Sequence, residues 1–225
     1  MNSVNSVNKI IIADDHPLFR NALVQALQTE MKDAQFYEAA SITDLEKTLA
    51  EQPDADLLLM DLHMPGANGF VGLSHVIQRY SQLPVVMISA NEDTAIAAKA
   101  RQYGALGFVP KSASISSMTQ AIENVLMGDE SFPEKLNDFE MSEDQELDQL
   151  VKKVAELTPK QLEVFNLLAD GLLNKQVAFE QKVTEATVKA HVTAIMRKLG
   201  VNNRTQVILI ANKVKVDENF GAQAS

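Results

Sequence analysis

Short apolar runs alternate with amphipathic stretches through the first 130 residues of the chain. The runs predict strands over Lys9–Ala13, Gln35–Ala39, Asp56–Met60, Pro84–Ser89 and Gly107–Pro110. Three of them are unbroken (Ile10-Ile11-Ile12, Leu57-Leu58-Leu59-Met60 and Val85-Val86-Met87-Ile88), and strands apolar on both faces suit a parallel sheet covered by helices on each side. Helical spacing recurs between them, over Leu18–Glu30, Asp44–Ala50, Leu73–Tyr80, Thr94–Tyr103 and Ile115–Met127. Thr43 with Glu46 reads as a capping box opening the second helix. Five strand–helix units in alternation predict an α/β domain with a doubly wound five-stranded parallel sheet.

The pattern breaks at Gly128–Met141, where Pro133 sits among acids and predicts a linker. Within Ser142–Leu157, the residues Leu147, Leu150, Val151, Val154 and Leu157 recur at helical spacing. They predict a linker helix whose one apolar face packs within the chain or on a second copy, the former preferred. The remainder reads as an all-α unit of four helices. Thr158-Pro159-Lys160-Gln161 supplies a cap, a proline at the first helical position and a capping-box glutamine, and Gly171 suits a left-handed C-terminal cap. A short helix, Lys175–Glu180, precedes a turn; Thr184 caps a longer one, Glu185–Leu199, stopped by Gly200; Arg204–Val214 follows. Short helix, turn and long helix together predict a helix-turn-helix.

The predicted division is a flexible tail over 1–8, an α/β domain over 9–128, an acidic, partly helical linker over 129–156, a helix-turn-helix domain over 157–216 and a flexible tail over 217–225. Charge follows it. The net −10 of the 225 residues divides into −8 over 1–130, −6 over 131–151 and +4 over 152–225. Only the last part approaches phosphate favourably, and modestly so. The absence of cysteine excludes disulfides, thiolate metal sites and a thiol nucleophile. No apolar run reaches the roughly 18–20 residues of a membrane span, and Met1–Asn8 lacks the apolar core of a signal peptide, so a cytoplasmic protein without a membrane partner is expected.

Asp14 and Asp15 follow the first predicted strand, Asp61 the third, Ser89 ends the fourth and Lys111 follows the fifth. The carboxyl edge of a doubly wound sheet is where ligands bind. Three carboxylates there need a cation, and oxygen-only ligands favour Mg²⁺ with open positions for phosphate oxygens. A carboxylate beside Mg²⁺, a hydroxyl and an ammonium is equipped to accept a phosphoryl group as an acyl phosphate. Either aspartate of the pair alone would serve as a helix cap. Five suitable groups on one edge are hard to attribute to chance.

The runs IIADDHPLFR, LLLMDLHMPGANG, VVMISA and GALGFVPKS resemble the receiver domain of response regulators, a flavodoxin-like fold. The resemblance implies that Asp61 is the phospho-acceptor and that Asp15 and Asp61 hold Mg²⁺, Asp14 assisting, with the backbone carbonyl of His63 as a further ligand. It implies that Ser89 and Lys111 hold the phosphoryl oxygens, and that Phe108, three before Lys111, turns inward as Ser89 moves. Many receivers place a proline after the lysine; here Pro110 precedes it, which leaves the local cis-peptide geometry open. Phosphatases of the haloacid dehalogenase type use Asp-x-Asp, and the second position here is His63, so an enzyme is not expected. His16 reads as a helix-start residue near the site, and His75 as partly packed or on the surface.

In the second half, Val188, Val192, Ile195 and Leu199 form the inner stripe of the long helix, which turns Lys189, Ala190 and Thr193 outward where base edges are reached. Lys175, Thr187, Lys198 and Arg204 are phosphate candidates, joined by the cap Thr184, while His191 serves either a phosphate or the helix edge. Val207, Leu209 and Ile210 are shared between core and a dimer contact. The run from Leu157 to Ile208 resembles the LuxR-type (NarL/FixJ) output domain. Gln181 and Lys182 stand where that family has an apolar residue and a turn former, Thr193 where some members have a lysine, and Phe179 where a basic residue is common, with repacking of the phenylalanine as one outcome. A left-handed lysine would be strained by about 1 kcal/mol.

Together the resemblances imply a two-component regulator in which a sensor histidine kinase phosphorylates Asp61, the output domain is released, and a homodimer binds a two-fold site in double-stranded DNA to control transcription. The alternative is a phosphorylation-independent regulator or a docking module with weak DNA binding. IIADDHPLFR and ATVKAHVTAIMRKL look most like regulators of glycerol or alcohol metabolism.

Overall fold

The computed structural model describes residues 8–133, Leu136 and residues 145–218. Apart from Asn8, Asp217 and Glu218, the two expected tails lie outside the described residues.

The strands β1 (Lys9–Ala13), β2 (Gln35–Ala39), β3 (Leu57–Asp61), β6 (Val85–Ser89) and β7 (Gly107–Pro110) form one parallel sheet in the order β2-β1-β3-β6-β7. The unbroken runs are buried on both faces because both are covered. Ile10, Ile12, Leu57, Leu59, Val86 and Ile88 meet α1 (Pro17–Glu30) and α5 (Ile115–Leu126). Ile11, Leu58, Met60, Val85 and Met87 meet α2 (Ile42–Glu51), α3 (Gly69–Arg79) and α4 (Thr94–Gln102). Sheet order and helix placement are those of a doubly wound fold.

Between β3 and α3 the chain forms a small antiparallel hairpin, β4 (His63–Met64) with β5 (Ala67–Asn68). Pro65 and Gly66 make its turn, and Gly66 needs φ 97°, which a side chain would resist. The second helix starts earlier than the Thr43–Glu46 capping box predicted. Its cap is Ser41, whose Oγ accepts from Asp44 N at 3.1 Å. Buried Ile42 draws the first turn down onto the core, and Thr43 and Glu46 are left for tertiary partners.

The second half comprises α6 (Gln145–Ala155), α7 (Pro159–Ala169), α8 (Asn174–Glu180), α9 (Glu185–Leu199) and α10 (Arg204–Glu218). The Thr158–Gln161 capping box forms, and Gly171 and Gly200 take positive φ. The linker helix α6 packs within the chain: Leu147, Val151, Val154 and Leu157 are buried in the same apolar cluster as the inner residues of α3 and of α7–α10.

The turn between α8 and α9 is closed by Lys182 N on Phe179 O at 3.1 Å and Val183 N on Ala178 O at 3.0 Å. That pairing requires a left-handed residue, and Lys182 takes it at φ 53°. Lys182→Gly is therefore expected to stabilise the helical half by up to about 1 kcal/mol, read as a higher urea midpoint with unchanged slope. Phe179 does not repack over this turn. It is 80% exposed, because the stripe that α8 buries runs through Val177 and Ala178.

Candidate functional site

Strand register assembles the first site. Ala13 pairs with Met60, Asp61 with Ile88, and Ser89 with Pro110, so Asp14 and Lys111, one step further on, flank the ends of β3 and β6. Backbone bonds tie these ends together: Asp14 N to Ala39 O at 3.0 Å, Leu62 N to Ile88 O at 3.0 Å and Lys111 N to Ser89 O at 2.7 Å. All peptide bonds among the described residues are trans, that between Pro110 and Lys111 included.

Asp14, Asp61 and Ser89 are buried. Lys111 Nζ lies 2.7 Å from Asp14 Oδ2 and 3.0 Å from Asp61 Oδ2, and 4.8 Å from the centroid of the Phe19 ring. One ammonium thus serves two buried carboxylates. Burial alone would lower the Lys111 pKa, but the hydrogen bonds and charge of Asp14 and Asp61 outweigh it, and the ammonium is held above its usual value. Asp61 moves up as well: burial raises it, and the share of Lys111 it receives does not compensate.

The ligand atoms of Asp14, Asp15, His16 and Asp61 all lie within 4.8 Å of one another. Asp14 Oδ2 is faced by Lys111 Nζ at 2.7 Å and Asp15 Oδ1 by His16 Nδ1 at 2.7 Å. Three carboxylates converging on one point supply the oxygen ligands that fit a hard divalent cation. His16 begins α1, as its sequence position predicted. Ser89 Oγ accepts from Asn91 N at 3.1 Å. Phe108 already points inward at 3% exposure, while the His63 side chain is exposed.

The sequence reading missed two supports of this pocket, Phe19 and Arg20. The Arg20 guanidinium donates to Asp14 O and to Glu38 Oε2, fixing the acidic loop from outside. A cation in the first turn of a helix, where the macrodipole disfavours one, was the signal available.

The second site is the outer face of α9. Val188, Val192, Ile195 and Leu199 are buried, which leaves Lys189, Ala190 and Thr193 exposed on one side and His191 half-buried at the edge. Thr184 caps the helix by accepting from Thr187 N at 3.1 Å, and their hydroxyls lie 2.8 Å apart. Thr193 Oγ1 donates to Lys189 O at 3.0 Å, so its methyl group is the part left to meet a partner. Lys175 is exposed, whereas Lys198 Nζ donates to Glu156 O at 2.7 Å. Arg204 is turned inward, its guanidinium donating to Asn174 Oδ1 and Leu172 O at the entrance of α8. Val207 is core, Ile210 packs partly against it, and Leu209 is 62% exposed.

Residues 10–123 match the response regulator receiver domain family, and residues 155–211 match the luxR family of bacterial regulatory proteins. The chain is a response regulator.

Its relatives match it over more than nine-tenths of its length. The chain is 38% identical over 211 residues to the glycerol metabolism activator of Pseudomonas putida, covering 92% of this chain and 96% of that one. It is 30% identical over 228 residues to the transcriptional regulatory protein DegU of Brevibacillus brevis, covering 93% and 95%. In fold it is similar to RcsB in the structure of the RcsB–DNA complex, with TM-score 0.54 and 24% identity over 93% of this chain and 100% of that one. A LuxR-family response regulator from Aurantimonas sp. SI85-9A1 gives TM-score 0.52 and 26% identity over 59% of this chain and 94% of that one. This response regulator thus joins a receiver to a luxR-type DNA-binding domain, the make-up of a two-component transcription regulator. The acidic cluster is of the kind that takes a divalent metal ion. Among the described residues no helix is long and apolar enough to cross a membrane.

Proposed function

We propose that Asp61 accepts a phosphoryl group from a sensor histidine kinase, and that this controls how two copies of the chain engage DNA. The reading rests above all on Lys111 Nζ standing 3.0 Å from Asp61 Oδ2, with buried Ser89 on the adjoining strand end. Asp15 and Asp61, the backbone carbonyl of His63 and, in support, Asp14 would hold Mg²⁺, which when bound neutralises charge on the transferred group. Asp61 attacks phosphorus as the bond to the kinase's phosphohistidine breaks. Lys111 then exchanges its carboxylate contacts for a phosphoryl oxygen, and Ser89 turns its hydroxyl from Asn91 N toward another. Phe108, already inward, fills the space beside Ser89 and holds it there.

The working division is a receiver over 9–128, a linker over 129–156 and a DNA-binding unit over 157–216. In the DNA-binding unit Lys189, Ala190 and Thr193 read bases, with His191 at their edge. Lys175, Thr184, Thr187 and Lys198 set the register on phosphates, and Arg204 holds the entrance of α8 beside them. Because the base-reading face is exposed while the two halves touch, phosphorylation acts by pairing two copies across a two-fold site.

Acetyl phosphate with Mg²⁺ is expected to add one phosphoryl group to the wild-type chain by intact mass and none to Asp61→Ala. Uptake by the Asp61→Ala chain would reassign the acceptor. No uptake by wild type, together with no change of oligomer size in beryllofluoride, would leave a regulator that works without phosphorylation.

A further inference from the structure

The chain leaves the receiver along the open edge of β7. Phe108 N donates to Ser131 O at 2.9 Å and Ser131 N to Leu106 O at 2.8 Å, and Ser131 bridges to Gly107 in parallel register. The first residues of the linker thus extend the sheet beyond its last strand, at the position of Phe108. The approach is close. A Cβ on Gly107 would stand 3.1 Å from Ser131 O and 3.2 Å from Val86 Cγ2, so the pairing is matched to a glycine.

Backbone pairing would be enough to cover an edge. Here the side chains on either side of Ser131 are held as well, both from α4. Arg101 places Nη2 2.5 Å from Glu130 Oε2 and its guanidinium carbon 5.6 Å from the centroid of the Phe132 ring. Phe132 is half-buried and packs against the apolar cluster that contains Phe108, on the α2–α4 side of the sheet. Val109 belongs to the cluster on the other side, so Phe108 and Phe132 share one face.

We propose that Phe132 is a positioning residue for the phosphoryl site. It fills the place at the sheet edge that the Phe108 ring would take on turning outward, and so holds that ring inward beside Ser89. An aromatic on an edge strand has staggered positions beneath the neighbouring strand or over the open edge. β6, which ends in Ser89, lies on the first side, and residues 130–132 occupy the second. Phe108 is accordingly turned in, at 3% exposure. A ring free to turn outward would divide the affinity for a phosphoryl group by the fraction of chains still competent to bind it. Linkage makes the effect reciprocal: a group at Asp61 that keeps the ring inward also keeps the linker on its edge.

The inference rests on the reading of Asp61 and Ser89 as the phosphoryl site, but its first test uses no phosphoryl donor, so the two can fail separately. Fluorine NMR would be recorded on the full-length chain carrying 4-fluorophenylalanine, with the Phe108 signal assigned by its loss in Phe108→Leu. One sharp Phe108 line is expected in wild type. Phe132→Ala is expected to split or broaden it as the ring samples the vacated edge, and Phe132→Leu, which keeps apolar bulk there, to restore a single line. Beryllofluoride would then be titrated into each chain at saturating Mg²⁺. Phe132→Ala is expected to bind it about two- to tenfold more weakly, as for a competent fraction of about one half to one tenth, with the affinity for Mg²⁺ alone unchanged. In a Phe108→Leu chain the same substitution is expected to cost nothing further, because no ring is left to turn. A Phe108 line unmoved by Phe132→Ala, or an equal loss of beryllofluoride affinity in the Phe108→Leu chain, overturns the proposal. Failure of the wild-type chain to bind beryllofluoride would sink the reading of Asp61 instead, and the Phe108 line then decides the inference alone.

Discussion

Asp61→Asn is expected to be more stable than the wild-type chain when no divalent ion is present, by about 1–3 kcal/mol, the range of a single-site change at a buried charge. The direction follows from the pocket. Lys111 is shared between Asp14 and Asp61, and burial leaves Asp61 with its pKa above the ordinary carboxylate range. Between the unfolded value and the raised folded value, the native state holds a proton that the unfolded chain has released. Stability contributed by Asp61 is therefore fully present below the unfolded pKa and lost as pH rises through the folded one. The gain from Asp61→Asn should accordingly be large near neutral pH and vanish in acid. Mg²⁺ should reverse the order, because binding to the native state stabilises wild type by mass action and the asparagine chain much less. Urea unfolding at acid and neutral pH, with and without Mg²⁺, reads all of this. An asparagine chain less stable than wild type without metal would mean that the Lys111–Asp61 pair outweighs the burial of the carboxylate.

The second large effect is placed on α9. Lys189→Ala is expected to weaken binding to a specific operator by about tenfold or more, corresponding to the roughly 1–3 kcal/mol of a good base contact. Binding to unrelated DNA should change little. Its ammonium is exposed and lies 3.2 Å from Glu185 Oε1. An exposed i,i+4 pair contributes only a few tenths of a kcal/mol, so it yields readily to a guanine edge. Lys175→Ala should behave differently, weakening all sequences alike and lowering the salt slope by about one counterion. Gel shifts over a salt series on specific and scrambled fragments separate the two. Equal losses on both fragments for Lys189→Ala would make it a phosphate contact and move base reading elsewhere on the helix.

Much of the fold was legible because its signals are local. Three consecutive isoleucines between turn residues suit a short strand covered on both faces, and the stripe Val188, Val192, Ile195 and Leu199 has only one inward side. Of the helix ends read from caps, those at Thr158, Gly171, Thr184 and Gly200 hold. The second helix differs, since Ser41 won over Thr43 once Ile42 had to reach the core, and α3 opens at Gly69 rather than Leu73. The acidic pocket was legible for a related reason. Parallel register brings the residues after successive strands to one edge, whatever the rest of the chain does.

The sequence by itself therefore determined the order of the helices and of the five sheet strands, though not the β4–β5 hairpin, the carboxyl-edge cluster of Asp14, Asp15, Asp61, Ser89 and Lys111, and the outward face of α9. Each depends on periodicity within one element or on the rule that parallel strands end together. Only the tertiary structure decided that Lys111 stands between two carboxylates, that Arg204 turns inward to α8, that Phe179 stays in solvent, and that His75 is buried against a carbonyl 80 residues away. Those outcomes depend on which faces of separate elements meet. No pattern within a helix records the partner that its buried polar group will find.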